Sequence, residues 1–414
     1  MNCRDALAWL YSLQRFGIKL GLENIQRLIE KVPSASCRWD TGWKPVPRVI
    51  HVAGTNGKGS VCAMMDSILR TAGHRTGLFT SPHLVTFRER IRVNGEMLSE
   101  DAVASGLTLL RDLVRDWNPH PTFFEIVTAL ALKHFADAKI DIAILETGLG
   151  GRLDATNAVA SDVAVITPIA FDHEKWLGDS IAKIAAEKAG IIKQGTPIVS
   201  AKQAADAEQV IRARATECKA PLQFITESYD RRPVALRGQH QKQNAAIAIA
   251  AVRAAGISID DAAIARGLAS VQWPARFQSW DDRTIIDGAH NPAAARILAE
   301  TWREMFGNER ATLILAVLAD KNLAGICQAL LPITDFVFLP KIRSERAAQR
   351  AEIARILASL DSVPSYLLSD SIADALQAAR AKSNRILITG SLHFAGEALA
   401  FLQGKPAAFE ECVQ

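Results

Sequence analysis

The run His51-Val52-Ala53-Gly54-Thr55-Asn56-Gly57-Lys58-Gly59-Ser60 holds the residue types needed to grip a nucleoside triphosphate. Gly54, Gly57 and Gly59 permit a tight turn whose N–H groups converge on one point, and such amides at a helix N-terminus bind anions. Thr55 and Asn56 lie within the turn, Lys58 adds a mobile positive charge, and Ser60 offers a hydroxyl to a magnesium ion bound with the phosphates. Residues 49–52 are apolar and β-branched apart from His51, and residues 61–69 have apolar residues at helical spacing, so the segment reads as strand, loop and helix. The spacing departs from the common G-x-x-x-x-G-K-[ST] pattern. Gly57-Lys58 follows Gly54 after only two residues, and Gly59 separates Lys58 from Ser60. A glycine-rich β-to-α turn of any doubly wound domain is the plain alternative. The lysine, the hydroxyl and the flanking elements favour phosphate binding.

Other groups lie where such a loop needs partners. Glu146 ends a strand expected over 140–145 and precedes Thr147-Gly148-Leu149-Gly150-Gly151-Arg152-Leu153-Asp154. In open parallel sheets that end faces the ligand crevice. A carboxylate there is a magnesium-ligand candidate, with a helix cap or a surface glutamate as the alternative. Asp172-His173 is expected to close the next strand at the same end, which makes His173 a candidate for metal or phosphate contact. Lys188 sits near a helix C-terminus ahead of Gly190, where the helix dipole is its ordinary explanation. Asp287-Gly288-Ala289-His290-Asn291-Pro292 ends a strand and opens a helix, with proline suited to the first turn. With Arg276 and Asn244 it offers polar groups able to reach a nucleotide across a cleft, although each suits a cap or a surface position equally well.

These groups need a scaffold. At 414 residues the chain exceeds what one core usually supports, so two domains are expected. The 49% hydrophobic and 22% charged fractions describe an ordinary soluble protein, and a net charge of +4 suggests neither a nucleic-acid nor a membrane partner. No signal peptide or membrane span is apparent. Six cysteines without paired spacing argue against zinc or disulfides and fit a reducing cytoplasm. β-Branched runs at 49–52, 76–79, 140–145, 163–167 and 197–200 alternate with alanine-rich helical segments. A second series follows at 284–286, 312–317, 335–339 and 385–389. This alternation implies an α/β protein. Its N-terminal domain, residues 1–280, is a P-loop, doubly wound, mostly parallel sheet, and a smaller Rossmann-like α/β domain fills 281–414. The boundary follows Trp273-Pro274-Ala275-Arg276-Phe277. Residues 34–47, rich in tryptophan and proline, read as an irregular surface loop.

Gly54 through Ser60, then Glu146, His173, Asn244, Arg276 and Asp287 in that order, resemble the pattern of the Mur ligase superfamily. Further stretches resemble its folylpolyglutamate synthase and dihydrofolate synthase branch. They include Ser81-Pro82-His83-Leu84, Phe123-Phe124-Glu125, Glu187-Lys188-Ala189-Gly190, His240-Gln241-Lys242-Gln243-Asn244, Asp320-Lys321 and Gly390-Ser391-Leu392-His393. Only about 50 residues precede the phosphate loop, too few for the uridine-nucleotide domain of the peptidoglycan ligases. The 34–47 insert has no counterpart in the pattern.

The resemblance implies that Gly54, Thr55, Asn56, Gly57, Lys58, Gly59 and Ser60 hold ATP, with Asn244, Arg276, Asp287 and His290 reaching it from the linker and second domain. It implies Mg2+ at Ser60, Ser81, Glu146 and His173, with Lys188 carbamylated so that an anion replaces a cation-repelling ammonium. Lys58, Glu146, His173 and Lys188 are the catalytic set it implies. Leu20, Gly21, Leu22, Glu23, Thr122, Phe123, Leu153 and Asp154 match pterin-binding segments, and Ser391 and His393 match positions that receive glutamate. The implied activity is ATP-dependent joining of L-glutamate to dihydropteroate or reduced folates through an acyl phosphate, by a cytoplasmic monomer. The alternatives are another superfamily ligase acting on a different carboxylate, and a P-loop ATPase without ligase activity.

Overall fold

The computed structural model describes residues 1–17, 19, 21–32, 47–360 and 364–411. Leu20 and the 34–47 insert, Pro47 apart, lie outside the described residues. The first of two sheets has eight strands, in the order β4-β3-β2-β5-β1-β6-β7-β8. These are β1 (Arg48–Ala53), β2 (Thr76–Phe79), β3 (Ile91–Val93), β4 (Glu96–Met97), β5 (Ile142–Glu146), β6 (Val163–Ile166), β7 (Ile198–Ala201) and β8 (Leu222–Ile225). All are parallel except β3 and β4, which join one edge antiparallel.

The second sheet has six strands, in the order β13-β12-β11-β14-β10-β9. They are β9 (Gln278–Ser279), β10 (Thr284–Ile286), β11 (Ala311–Leu315), β12 (Thr334–Pro340), β13 (Ser365–Ser369) and β14 (Ile386–Thr389). Only β9 is antiparallel. The expected pair of mostly parallel α/β units is present. Strands β3, β4, β8, β9 and β13 were not expected from periodicity. Most are too short to show one, and four of the five residues of β13 are exposed at a sheet edge.

Strand alternation divides the first core into layers. Val49, Phe79, Ala143 and Leu145 face the helices Cys3–Ser12, Glu100–Val114 and Phe123–Asp137. Ile50, Val52, Leu78 and Ile144 face the helices Lys58–Thr71, Gln239–Ala254 and Asp261–Ser270. Each fully buried aliphatic side chain contributes about 1.5–3 kcal/mol. Helix Lys58–Thr71 is buried along its whole middle, from Gly59 to Leu69, so the phosphate loop leads into an element packed on all sides.

Candidate active site

Register brings the carboxyl ends of three strands together: Val52 pairs with Glu146 on one side of β1, and Ala53 pairs with Ile166 on the other. The chain moves to opposite sides of β1 on its way to β2 and to β6, so the phosphate loop emerges at the switch point of the sheet. Gly54 (φ 144°) and Gly57 (φ 88°) take backbone conformations that L side chains rarely adopt, and a Cβ on Gly54 would lie 1.9 Å from Thr167 Oγ1. Two amides do not point where expected. Thr55 N and Asn56 N donate to Pro168 O at 3.0 and 3.1 Å. The donors left for an anion are those of the first turn of helix Lys58–Thr71, which have no intrahelical acceptors.

Lys58 Nζ donates to Gly54 O at 3.1 Å and to Thr55 O at 3.3 Å. Lys188 Nζ donates to the same Gly54 O at 2.9 Å. The dipole role suggested for Lys188 is therefore incomplete, because its side chain leaves the helix Ile181–Ala189 and crosses to the phosphate loop. Gly190, at φ −63°, is not a left-handed helix stop. Burial, aggravated by Lys58, pushes the Lys188 pKa down to about 7.

Glu146 is buried, and its Oε2 accepts the Ser81 N–H at 3.2 Å. Burial raises its pKa, opposed by Lys58, the Ser81 amide and Arg276. Ser81 Oγ is buried without a hydrogen-bond partner among the described residues. An orphaned hydroxyl beside a carboxylate and a phosphate loop fits a hard divalent cation. No cluster of three or more His, Cys, Asp or Glu forms a metal cage among the described residues. Mg2+ needs none, since it takes one or two carboxylates and completes its shell with phosphates and water.

Asp172-His173 does not close a strand. β6 ends at Ile166, and Pro168, which has no N–H to donate, starts a loop that lines the phosphate turn. His173 sits in left-handed backbone (φ 53°) ahead of the short helix Glu174–Leu177. Its side chain is 40% exposed. Desolvation, with Lys321, His290 and Lys58, pushes its pKa to about 4 despite Asp172, so the ring is neutral and able to ligate.

Asp172 is the hub of a contact across the cleft. Its carboxylate lies 2.7 Å from Lys321 Nζ, 3.3 Å from Asn291 Nδ2 and 3.5 Å from His290 Nε2. Asn291 Nδ2 also donates to Asn56 Oδ1 at 3.0 Å, joining the second unit directly to the phosphate loop. Burial alone would raise the Asp172 pKa. The His290 hydrogen bond, with Lys321, outweighs it and holds the carboxyl far below its ordinary value.

Asn244 and Arg276 also converge on the loop region. Asn244 Nδ2 donates to Gln241 Oε1 at 3.0 Å, and Gln241 Nε2 reaches Ser60 Oγ at 3.4 Å. Asp287 is held at both oxygens, Oδ2 accepting from Phe277 N and Oδ1 from Ala289 N, both at 2.8 Å, with a lone pair left on each. It holds a linker in which Ala275 (φ 56°) and Phe277 (φ 45°) are both left-handed, costly conformations for residues with side chains. Arg276 shares a small cleft with Gly59, Ser81, Glu146 and Leu392.

The elements that carry or adjoin the described pterin candidates, helices Glu23–Lys31 and Phe123–Asp137 and the turn Ala155–Ala158, pack on one another. Thr122 caps helix Phe123–Asp137 reciprocally with Glu125, and Phe123 stacks 5.7 Å from Tyr11. Leu22 and Glu23 open the helix Glu23–Lys31, and Gly21 precedes them. Asp154 is buried, with Oδ2 accepting from Gly148 N and Leu149 N and Oδ1 from Thr156. It shapes the loop containing Leu153. Ser391 caps the helix Leu392–Leu402, and the His393 ring packs edge-on 5.0 Å from Phe409.

Comparison with known proteins decides the family. The Mur ligase middle domain matches residues 52–219, and the Mur ligase glutamate ligase domain matches 275–392. The chain is 36% identical over 435 residues to a dihydrofolate synthase/folylpolyglutamate synthase of Bacillus subtilis, covering 94% of this chain and 97% of that one. The chain belongs to the dihydrofolate synthase/folylpolyglutamate synthase family. Among solved structures it resembles E. coli FolC in complex with DHPP and ADP, with a TM-score of 0.84 and 34% identity over 96% of this chain and 98% of that one. It also resembles the bifunctional synthase of Yersinia pestis complexed with AMPPNP and Mn ion, with a TM-score of 0.86 and 32% identity over 97% and 98%.

Motif reading in this family passed over Arg92 and Trp273 as site residues. Both line the cleft that holds Glu146 and Ser81, with the Arg92 guanidinium 5.5 Å from the Trp273 ring. Neither sits in a glycine-rich or strand-end context, so local pattern gave no signal. Asp172 and Lys321 were visible as residue pairs, but not as partners. Among the described residues no helix is long and apolar enough to cross a membrane.

Proposed function

We propose that this chain uses ATP to join L-glutamate to dihydropteroate, to reduced folates, or to both. The observation that carries this reading is the cleft where an orphaned Ser81 hydroxyl and the Glu146 carboxylate meet Gly59 of the phosphate loop and Arg276 of the linker. Family membership supports it. The first-turn amides of helix Lys58–Thr71 and the Lys58 ammonium bind the triphosphate, with Asn244, Arg276, Asp287 and His290 closing over it. Ser60, Ser81, Glu146 and His173 would hold Mg2+, which supplies charge neutralisation between phosphates and an approaching carboxylate.

The substrate carboxylate oxygen attacks the γ-phosphorus, the bond to the β,γ-bridging oxygen breaks, and ADP leaves. The glutamate amine then attacks the acyl carbon of the acyl phosphate, the C–O bond to phosphate breaks, and inorganic phosphate leaves with the amine's proton as the amide forms. Lys58 offsets the repulsion between the two anions, and the contact between Asp172 and Lys321 keeps the cleft shut against water.

Lys188 is proposed to carry a carbamate. Two lysine amines donate to one carbonyl, Gly54 O, and a carbamate on Lys188 would attract Lys58 where a charged amine repels it. We assign residues 1–280 to the ATP and pterin sites, and 281–414, through Ser391 and His393, to glutamate capture. We expect a cytoplasmic monomer. The test is incubation with ATP, Mg2+ and glutamate plus dihydropteroate or tetrahydrofolate, with products weighed by mass spectrometry. A gain of one glutamyl unit is expected. ATP turnover without a glutamylated product would overturn the reading.

A further inference from the structure

The segment 84–87, just beyond Ser81, is held from within by Glu89, which accepts from Leu84 N at 2.8 Å and from Val85 N and Thr86 N at 3.0 Å, and from the far end of the chain by Glu410. Glu410 Oε2 accepts from Phe87 N at 2.6 Å, and Oε1 accepts from Thr86 Oγ1 at 3.3 Å. The Glu410 backbone adds two more bonds, its N–H donating to Val85 O at 2.8 Å and its carbonyl accepting from His83 Nε2 at 3.1 Å. The histidine tautomer follows from chemistry. Arg90 Nε can only donate, so His83 Nδ1, 2.9 Å away, is the acceptor and Nε2 carries the proton given to Glu410.

Packing repeats this connection. Leu84 is buried in the apolar cluster of the second sheet, with Ile286, Ile314 and Phe394. A Cβ on Gly396, in helix Leu392–Leu402, would lie 1.8 Å from Leu84 O. The turn that follows Ser81 is thus seated in the second unit, and Glu410 locks it there.

We propose that Glu410 is a positioning residue for the cation-and-nucleotide site, acting through the 83–87 turn to hold Ser81 against Glu146. Glu146 gains its hydrogen bond from Ser81 N, so a slack turn would part the two groups that meet the cation. The inference rests on the proposed role of Ser81 and Glu146. It goes beyond that role by making the second unit part of the metal site without contributing a ligand.

The test uses the full chain with Glu410→Ala and Glu410→Gln. Hydrogen exchange is followed at amides 83–87, and Mn2+ with AMPPNP is titrated by calorimetry. Losing an outer-sphere positioning group typically weakens metal affinity about 10–100-fold. Glu410→Ala should therefore speed exchange most at Phe87, since Glu89 still accepts the amides of 84–86, and weaken Mn2+·AMPPNP binding about tenfold, the low end because Glu410 acts one step further out. Glu410→Gln should fall between, because its amide oxygen still accepts the Phe87 N–H. If exchange quickens while affinity stays at the wild-type value, Glu410 is only structural and the proposal fails. Unchanged exchange in both variants also overturns it. The glutamylation assay on the wild-type chain is separate: no product there sinks the ligase reading, whereas weakened Mn2+·AMPPNP binding in Glu410→Ala would still support the clamp.

Discussion

Replacing Lys321 by methionine should open the cleft. Lys321 Nζ lies 2.7 Å from Asp172 Oδ1, and both side chains are only 7% exposed, so water cannot take over the lost charge. Removing one member of a buried ion pair costs about 3–5 kcal/mol, because the surviving charge is left uncompensated. Asn291 at 3.3 Å and His290 at 3.5 Å remain on Asp172, which places the expected cost near the lower end, about 3 kcal/mol. The two partners belong to opposite units, so this loss falls on the closed arrangement. It corresponds to roughly a hundredfold shift away from closure. Calorimetric melting, the radius of gyration from small-angle scattering, and kcat/KM should all report it. The double variant Asp172→Asn/Lys321→Met removes both charges and should be more stable than Lys321→Met alone by about 1–2 kcal/mol. A single variant that melts and turns over like wild type would refute the reasoning. So would a double variant whose losses simply add.

Other outcomes follow from the same geometry. Lys58→Ala should abolish glutamylated product while leaving the melting temperature within a few degrees, as measured by mass spectrometry and calorimetry. Glu146→Gln should shift the magnesium titration of activity to much higher concentration; an unchanged titration counts against coordination. Lys188→Ala should lose activity that millimolar acetate or propionate partly restores, and full unaided activity would reject the carbamate. His51, buried against Thr156 Oγ1 at 2.8 Å, has its pKa pushed down to about 3 by burial and Lys193. The unfolded state then binds the extra proton between about pH 6.5 and pH 3, so the neutral ring's contribution is complete above that window and lost as pH falls through it. His51→Gln should flatten this part of the stability curve, as read by denaturant melts across pH.

Reading the chain alone was enough to find the phosphate loop, the parallel strand series and the second α/β unit. These depend on local chemistry: glycines that permit positive φ, β-branched runs that make strands, and a helix start that leaves its amides free. Glu146 was visible for the same reason, since a strand end is written in adjacent residues. Contacts between distant segments were not. Lys188 looked like a dipole partner until folding brought it to Gly54, 134 residues away. Asp172 and Lys321 meet across 149 residues, and Glu410 reaches Phe87 across 323. Which distant side chains become neighbours depends on strand order, register and the seating of Leu84 in the second core. Spacing along the chain encodes none of these, because they arise only when buried faces pack together and shed water.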